Sequence, residues 1–120
     1  MSPDAIRVAD YLQSRLKKHG INGVVYYNKL AADLGMPPVT DAWFSHPLCG
    51  IFEELDLEDH AKGRPFRTAL VITEKSKFPG DGFFEMVRKL RFPRKTKFSE
   101  KEILTLYSTE LQSLASLYHP

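Results

Sequence analysis

The sequence predicts a small α+β domain, mostly helical, with a short sheet and a long C-terminal helix. Three observations predict it. Apolar residues recur at helical spacing in several stretches, only Thr68–Thr73 has the short, apolar, partly β-branched character of a buried strand, and 120 residues can enclose one core. A hydrophobic content of 42% and a charged content of 27% are ordinary for a globular chain. Residues 1–120 are therefore expected to form a single domain.

The first helix is predicted to begin at Ser2-Pro3 and to end at Gly20. Serine can cap a helix, proline suits its first turn, and glycine is a common stop. Its apolar stripe is predicted to comprise Ile6, Ala9, Leu12 and Leu16. After it, Ile21–Tyr27 is β-prone and favours a short strand or an extended lead-in.

Two helical segments separated by a rigid turn follow. Asn28–Leu34 is predicted to be a short helix, and a second helical segment is predicted to begin near Thr40 or Asp41. Pro47 interrupts that segment, so we expect either a kink or a new helix capped by Ser45. The stripe beyond the proline consists of Leu48, Ile51, Phe52 and Leu55.

This order has the spacing of a helix-turn-helix, and a strand with a looped segment after it makes the winged variety. In this interpretation residues 1–93 form a winged-helix-like core and residues 99–118 form a closing helix. A general α+β domain with no nucleic-acid role is the alternative.

The C-terminal half is predicted to hold two more helices. Glu74–Gly82 is a turn-rich loop, and Asp81 is expected to cap a helix that runs to Leu90. Ser99 and Glu102 form a capping box for the last helix. Its heptad seam consists of Leu104, Tyr107, Leu111, Leu114 and Tyr118. We expect this helix to dock on its own domain; a homodimer through it is the alternative.

One stretch resembles a known DNA-repair family. Tyr27–Pro37 (YNKLAADLGMP), followed by a helix, by Leu70-Val71-Ile72 and by a glycine loop, is similar to the C-terminal winged-helix domain of the alkylguanine-DNA alkyltransferases and alkyltransferase-like proteins. The resemblance implies a DNA-binding fold. The family's nucleophilic cysteine would fall near Thr68 and its intercalating arginine near Asp41, so the resemblance extends to Tyr27 but not to alkyl transfer.

A second resemblance covers most of the chain. It is carried by Gly63-Arg64-Pro65, Ala69-Leu70-Val71, Pro79–Glu85 (PGDGFFE) and Tyr118 at the end of the last helix. These features resemble a group of small uncharacterised bacterial and phage proteins. The resemblance implies a bacterial or phage origin and no particular activity.

Charge and cysteine content narrow the classes of function. The net charge of +2 is mild, but five acidic residues lie in 53–59 and six basic residues in 88–97. The single cysteine, Cys49, excludes an internal disulfide and fits the cytoplasm. There is no signal-like N-terminus and no run of 18 apolar residues, so we expect no membrane association.

No complete catalytic motif is present, and we expect neither an enzyme nor a metal or cofactor site. His46 and Cys49 suggest a thiol dyad, but an apolar setting favours a structural cysteine. A zinc site would need further ligands beyond His60. Pro79–Gly82 lacks the lysine of a phosphate loop.

The sequence thus favours a non-catalytic DNA-binding protein in which cations neutralise phosphates. The predicted contacts are Tyr27, Lys29, Thr40, Lys75, Lys77, Arg88, Arg91, Arg94, Lys95 and Lys97. The acid Asp41 and the acidic helix after it count against this hypothesis.

The alternative is a protein-binding antagonist, immunity or anti-defence protein that acts on a host or cognate partner. Aromatic side chains are common interface anchors. The candidate anchors are Trp43, Phe44, Phe78 and Phe83. In so small a domain most of them must also build the core, and Phe83 is predicted to face inward from its helix.

Overall fold

A computed structural model describes residues 1–40 and 42–119. The helices in these residues are α1 (Pro3–His19), α2 (Tyr27–Asp33), α3 (Pro47–Ala61), α4 (Asp81–Arg91) and α5 (Glu100–Tyr118). The strands are β1 (Val25–Tyr26) and β2 (Val71–Ile72), and short 3-10 turns occupy Gly20–Gly23, Trp43–Ser45 and Arg67–Leu70. A mostly helical α+β domain with a short sheet and a long C-terminal helix is therefore confirmed.

The strands of the sheet are shorter than predicted. β1 and β2 pair in parallel, with Val25 opposite Val71 and Tyr26 opposite Ile72. A wing requires an antiparallel hairpin, and the strands of the described residues form none. The winged-helix arrangement is therefore not confirmed.

The predicted strand over 68–73 is wrong in its first half. Arg67–Leu70 forms a 3-10 turn, and side chains of α3 accept hydrogen bonds from its first two residues. The Arg67 backbone N–H donates to Asp59 Oδ2 at 3.0 Å, and the Thr68 hydroxyl donates to Asp56 Oδ1 at 2.6 Å. The strand begins only after these two hydrogen-bonded residues.

The first and last helices confirm their predicted caps. Ser2 Oγ accepts the Ala5 N–H at 3.2 Å, and Ser99 with Glu102 completes a capping box. The stripe of α1 is rotated from the prediction, because Ile6 is 47% exposed while Ala5 and the rest of the face are buried. In α5, Leu104 is 56% exposed, so the buried seam begins one turn later than predicted. The buried seam residues are Tyr107, Leu114 and Tyr118.

Two caps differ from the prediction. His46, not Ser45, caps α3, because its Nδ1 accepts the Leu48 N–H at 3.1 Å. Gly80, not Asp81, precedes α4, and Asp81 is the first helical residue. The predicted helix start at Asp41 lies outside the described residues, and Trp43–Ser45 is only a 3-10 turn.

The core lies between α1, α3, α5 and the Arg67–Leu70 turn. Its largest fully buried side chains include Phe66, Leu12, Leu55 and Leu114. The predicted stripe of α3 is confirmed, since Leu48, Ile51, Phe52 and Leu55 are all buried. α5 docks on its own chain, as expected. Of the described helices, none has both the length and the apolar character that crossing a bilayer requires.

Candidate functional site

An open groove of about 970 Å³ lies between the start of α2, the Trp43–Ser45 turn, the first half of α3 and the start of α4. We call it the aromatic groove. Its aromatic lining comprises Tyr27, Trp43, Phe44, Phe52 and Phe83. Its charged lining comprises Glu53, Asp56, Asp81, Glu85 and Lys89.

Three rings of the lining pack against one another. The Tyr27 and Trp43 centroids lie 5.4 Å apart in an edge-to-face arrangement. Phe52 lies 5.8 Å from Tyr27 and 5.7 Å from Trp43. His46 stacks on Trp43 at 6.0 Å with only 7° between the planes. Because each ring contacts others, the walls of the groove are fixed before any ligand arrives.

Hydrogen bonds hold both sides of the aromatic groove. The Tyr27 hydroxyl accepts the Gly80 N–H at 3.1 Å, which joins α2 to the start of α4. His46 Nε2 donates to the Pro37 carbonyl at 2.7 Å while Nδ1 caps α3. Both imidazole nitrogens are thus engaged, and neither can serve Cys49 as a base.

Phe44 is the exception to this packing. Its side chain lines the groove, yet the residue is 92% exposed, the highest exposure among the large apolar residues of the chain's described part. Its neighbour Trp43 is half-buried. The predicted exposure of Phe44 is therefore confirmed, and it projects beside a rigid aromatic wall.

Carboxyl groups dominate the charged lining of the groove, four against the single ammonium of Lys89. One of them, Glu85, is also paired with Arg88 Nη2 at 2.6 Å, which lowers the pKa of that carboxyl. The other three have no ion-pair partner among residues 1–40 and 42–119. Such a surface attracts cations and repels phosphate.

Asp56 lies at the base of the groove and is only 3% exposed. Its Oδ1 accepts the Thr68 hydroxyl, and its Oδ2 has no hydrogen-bond partner in the described ranges. Burial raises the pKa of Asp56 to about 7; the Thr68 bond opposes this, Asp59 and Glu110 add to it, and Arg91 opposes it.

A second buried acid, Asp59, is fully paired. Arg67 Nε lies 3.1 Å from Asp59 Oδ1, and Arg64 Nη2 lies 2.9 Å from the same atom. Arg67 also donates to Gln13 and to Glu58, both at 3.1 Å. Arg67 is 2% exposed, so this network belongs to the interior and not to a ligand site.

Most of the predicted DNA-binding cations have intramolecular partners. The ion pairs join Lys29 to Asp33, Arg88 to Glu85, Arg91 to Glu110 and Lys95 to Glu102. Lys77 Nζ contacts the Tyr26 hydroxyl at 2.6 Å. In the described part of the chain, Lys75, Arg94 and Lys97 are exposed and have no ion-pair or side-chain hydrogen-bond partner.

Arg91 has a structural role that its position in the sequence did not indicate. Its guanidinium bonds Glu110, which also accepts the Phe66 N–H at 3.2 Å, and its charge lies 4.2 Å from the centre of the Phe66 ring. The side chain thus ties α4 to α5 and to the segment before the Arg67–Leu70 turn.

The structure brings together residues that the two hypotheses had kept apart. Tyr27 and Thr40, predicted to contact DNA, line the same groove as Trp43 and Phe44, predicted to contact a protein. Phe83 is buried, as the apolar face of its helix predicted, and with only 6% exposure among Phe66 and Phe84 it is not available as an interface anchor.

Phe78 is half-buried and packs on Tyr107 at 5.3 Å. The ring therefore helps to hold its loop on α5 and offers less surface to a partner than the sequence suggested.

Sequence reasoning missed Phe52 and Asp56 as members of the site. A signal for Asp56 was present. It follows Phe52 by four residues and Leu48 by eight, so it falls on the apolar face of α3. A lone acid on a buried helix face requires a partner or a function.

No protein-family model, curated protein or solved structure matches this chain. The two resemblances drawn from the sequence therefore stay predictions. Within residues 1–40 and 42–119, no three His, Cys, Asp or Glu side chains are grouped to hold a metal ion.

Proposed function

We propose that this chain acts by binding another protein, and that a segment of that partner enters the aromatic groove. The observation that carries the proposal is the 92% exposure of Phe44 at the groove. Covering a phenylalanine ring removes apolar surface from water and contributes about 1.5–3 kcal/mol. A fully exposed phenylalanine beside a concave aromatic wall is typical of an interface anchor.

The rigidity of the wall supports the same proposal. Trp43 is held by Tyr27, Phe52 and His46, so little conformational entropy is lost when a partner packs on it. Tryptophan and tyrosine are the residues most enriched in binding hot spots. An antagonist or immunity protein that acts in the reducing cytoplasm fits this surface and the single cysteine.

The proposal is non-catalytic. Cys49 lines the groove, but the nearest histidine, His46, uses one nitrogen on Pro37 and the other on Leu48. A thiolate nucleophile needs a free base or another source of activation.

DNA binding by a winged-helix-like domain is the second candidate. Three exposed cations without ion-pair partners in the described ranges, Lys75, Arg94 and Lys97, favour it. The carboxyl groups beside Tyr27 and Thr40 count against those two residues as phosphate contacts. A short duplex at about 50 mM salt tests it: several phosphate contacts would give at least micromolar affinity there.

Site-specific crosslinking tests the protein-binding proposal. A photoreactive phenylalanine analogue replaces Phe44 in one variant and Phe92 in a matched control, where the residue is 44% exposed and packs on Phe98. We expect a discrete protein adduct from position 44 only. Equal adduct yields at the two positions, or nucleic acid as the sole product, would contradict the proposal.

The crosslinked partner is then purified and titrated with each alanine variant. Phe44→Ala is expected to weaken binding about 30-fold, because truncating an anchor costs about 2 kcal/mol. Phe92→Ala is expected to bind within about twofold of the unsubstituted chain.

A further inference from the structure

Resting on the proposed function, we infer that the partner's segment places a basic side chain, arginine or lysine, in the aromatic groove, with the carboxylate of Asp56 as its acceptor. The inference names the chemistry of the occupant. It depends on a feature independent of Phe44, namely a buried acid that the described chain leaves without a cation.

Asp56 has an unused hydrogen-bond acceptor. Asp56 is 97% buried, its Oδ1 accepts the Thr68 hydroxyl at 2.6 Å, and its Oδ2 has no partner in residues 1–40 and 42–119. The Oδ2 atom itself keeps contact with solvent, because the Tyr118 hydroxyl oxygen is the one fully buried, unpartnered side-chain polar atom in the described residues. Since Asp56 lines an open groove, a donor from outside the chain can reach it.

Aromatic rings line the same groove as that acid. Tyr27, Trp43 and Phe52 form one cluster on the groove wall. The faces of aromatic rings attract cations, and tryptophan does so most strongly. A planar guanidinium can stack on a ring while it donates to a carboxylate, and an ammonium can do so as a point charge.

The charges along the groove are complementary to such a basic side chain. Glu53, Asp81 and Glu85 line it together with Asp56, and Lys89 is the single cation of the described lining. A partner segment with positive charge would be drawn in, whereas a phosphate or an acidic segment would be repelled.

Protonation gives the site a pH dependence. The pKa of Asp56 is about 7 in the free protein, so much of it is neutral below that pH. A cation prefers the ionised form, and its affinity is therefore expected to rise as the pH increases from about 5.5 to 8.

Several other charged or titratable groups surround this acid and have to be controlled for. Those that act on Asp56 or line its groove are Asp59, Glu110, Arg91, Tyr27, Glu53, Asp81, Glu85 and Lys89. His46 stacks on Trp43 and would also affect a signal from that indole.

Small probes test the inference without the partner. n-Butylguanidinium carries the charge and shape of an arginine end, and n-butylurea has the same shape without the charge. The readout is the indole N–H resonance of Trp43, the single tryptophan of the chain. At pH 8 we expect the guanidinium to bind at least about tenfold more tightly than the urea, which is typical of a charged hydrogen bond.

Asp56→Asn is the decisive variant. It is expected to lose most of the guanidinium preference, the remainder coming from the other carboxylates of the groove, and its retained affinity for n-butylurea would show that the groove is intact. Asp10→Asn, which removes an exposed acid of α1, is the matched control and is expected to keep the tenfold preference. In the unsubstituted chain the preference is expected to shrink at pH 5.5, and any pH dependence that persists in Asp56→Asn would come from groups other than Asp56.

Equal binding of the two probes at pH 8, or an undiminished preference in Asp56→Asn, would overturn the inference. n-Butylammonium in place of the guanidinium distinguishes a lysine from an arginine. A partner that crosslinks at position 44 while the probes show no charge preference would leave the proposed function standing and refute this inference. A charge preference with no protein adduct would refute the proposed function and, with it, the partner's segment, and would leave only the preference of the groove for a cation.

Discussion

Asp56 and Asp59 are both buried, and they lie three residues apart on α3, yet their surroundings are opposite. Asp59 contacts Arg64 and Arg67 and accepts a backbone N–H. Asp56 has only the Thr68 hydroxyl among the described residues and lines an open groove. Burial alone therefore does not define the role of an acid. Its role depends on whether a cation of the same chain is paired with it.

The two acids also differ in what they contribute to stability. In a buried ion pair with further hydrogen bonds, each charge is compensated by its partner. Removing one partner leaves the other charge buried alone and destabilises the fold. A buried carboxyl without a cation instead becomes easier to protonate, which is why the pKa of Asp56 rises to about 7. A buried acid that lines a groove and has a strongly raised pKa is a candidate for ligand binding.

The largest effect is expected at the paired acid. Asp59→Asn leaves Arg67 charged and 2% exposed with Glu58 as its remaining carboxylate, so we expect the free energy of unfolding to fall by about 3 kcal/mol or more. Urea denaturation measures it. A loss below about 1 kcal/mol would mean that Asp59 is no better paired than Asp56.

The unpaired acid is expected to behave in the opposite way. The folded pKa of Asp56 lies above its ordinary value of 3.8, so the folded chain holds a proton that the unfolded chain has lost between about pH 4 and 7. The wild-type chain therefore loses stability as the pH rises through that window. Asp56→Asn is expected to be more stable by about 2–4 kcal/mol at pH 8 and about equal at pH 4.

The measurement is urea denaturation of both chains at pH 4, 6 and 8. A substitution that is neutral or destabilising at every pH would show that Asp56 is compensated within the fold. In that case the contrast with Asp59 would disappear.

The smallest effect is expected at an exposed acid of the groove. Glu53 lines the groove but is solvated, so Glu53→Gln is expected to weaken n-butylguanidinium binding by only about 1.5-fold to fivefold. Added salt should reduce this effect more than that of Asp56→Asn, because exposed charges are screened. Equal losses of affinity for the two variants would show that the summed negative charge of the groove, and not Asp56 in particular, attracts the cation.

The helices could be predicted from the sequence because their signals are local. The Ser99–Glu102 capping box and the stripe from Leu48 to Leu55 both appear as expected. The groove could not be predicted in the same way. It depends on pairs distant in sequence, such as Tyr27 with Gly80, whose separation is 53 residues.

Two of the errors share one physical cause. Thr68–Leu70 was predicted as strand from its own residues, but Asp56 on α3 accepts the Thr68 hydroxyl and Asp59 accepts the N–H of the preceding Arg67. Arg91 was assigned to DNA by its place in a basic run, whereas Glu110, 19 residues away, neutralises it. Partners brought in by tertiary packing thus decided both outcomes.

Carbon-13 NMR of the Asp56 side-chain carboxyl tests the central claim most directly. The pKa of Asp56 is measured alone and with saturating n-butylguanidinium, with n-butylurea as the neutral control. We predict a pKa of about 7 in the free protein and, with the cation, a fall of roughly one unit or more, as linkage requires for tenfold tighter binding to the carboxylate. A pKa that is ordinary in the free protein, or that the cation leaves unchanged, would contradict the account.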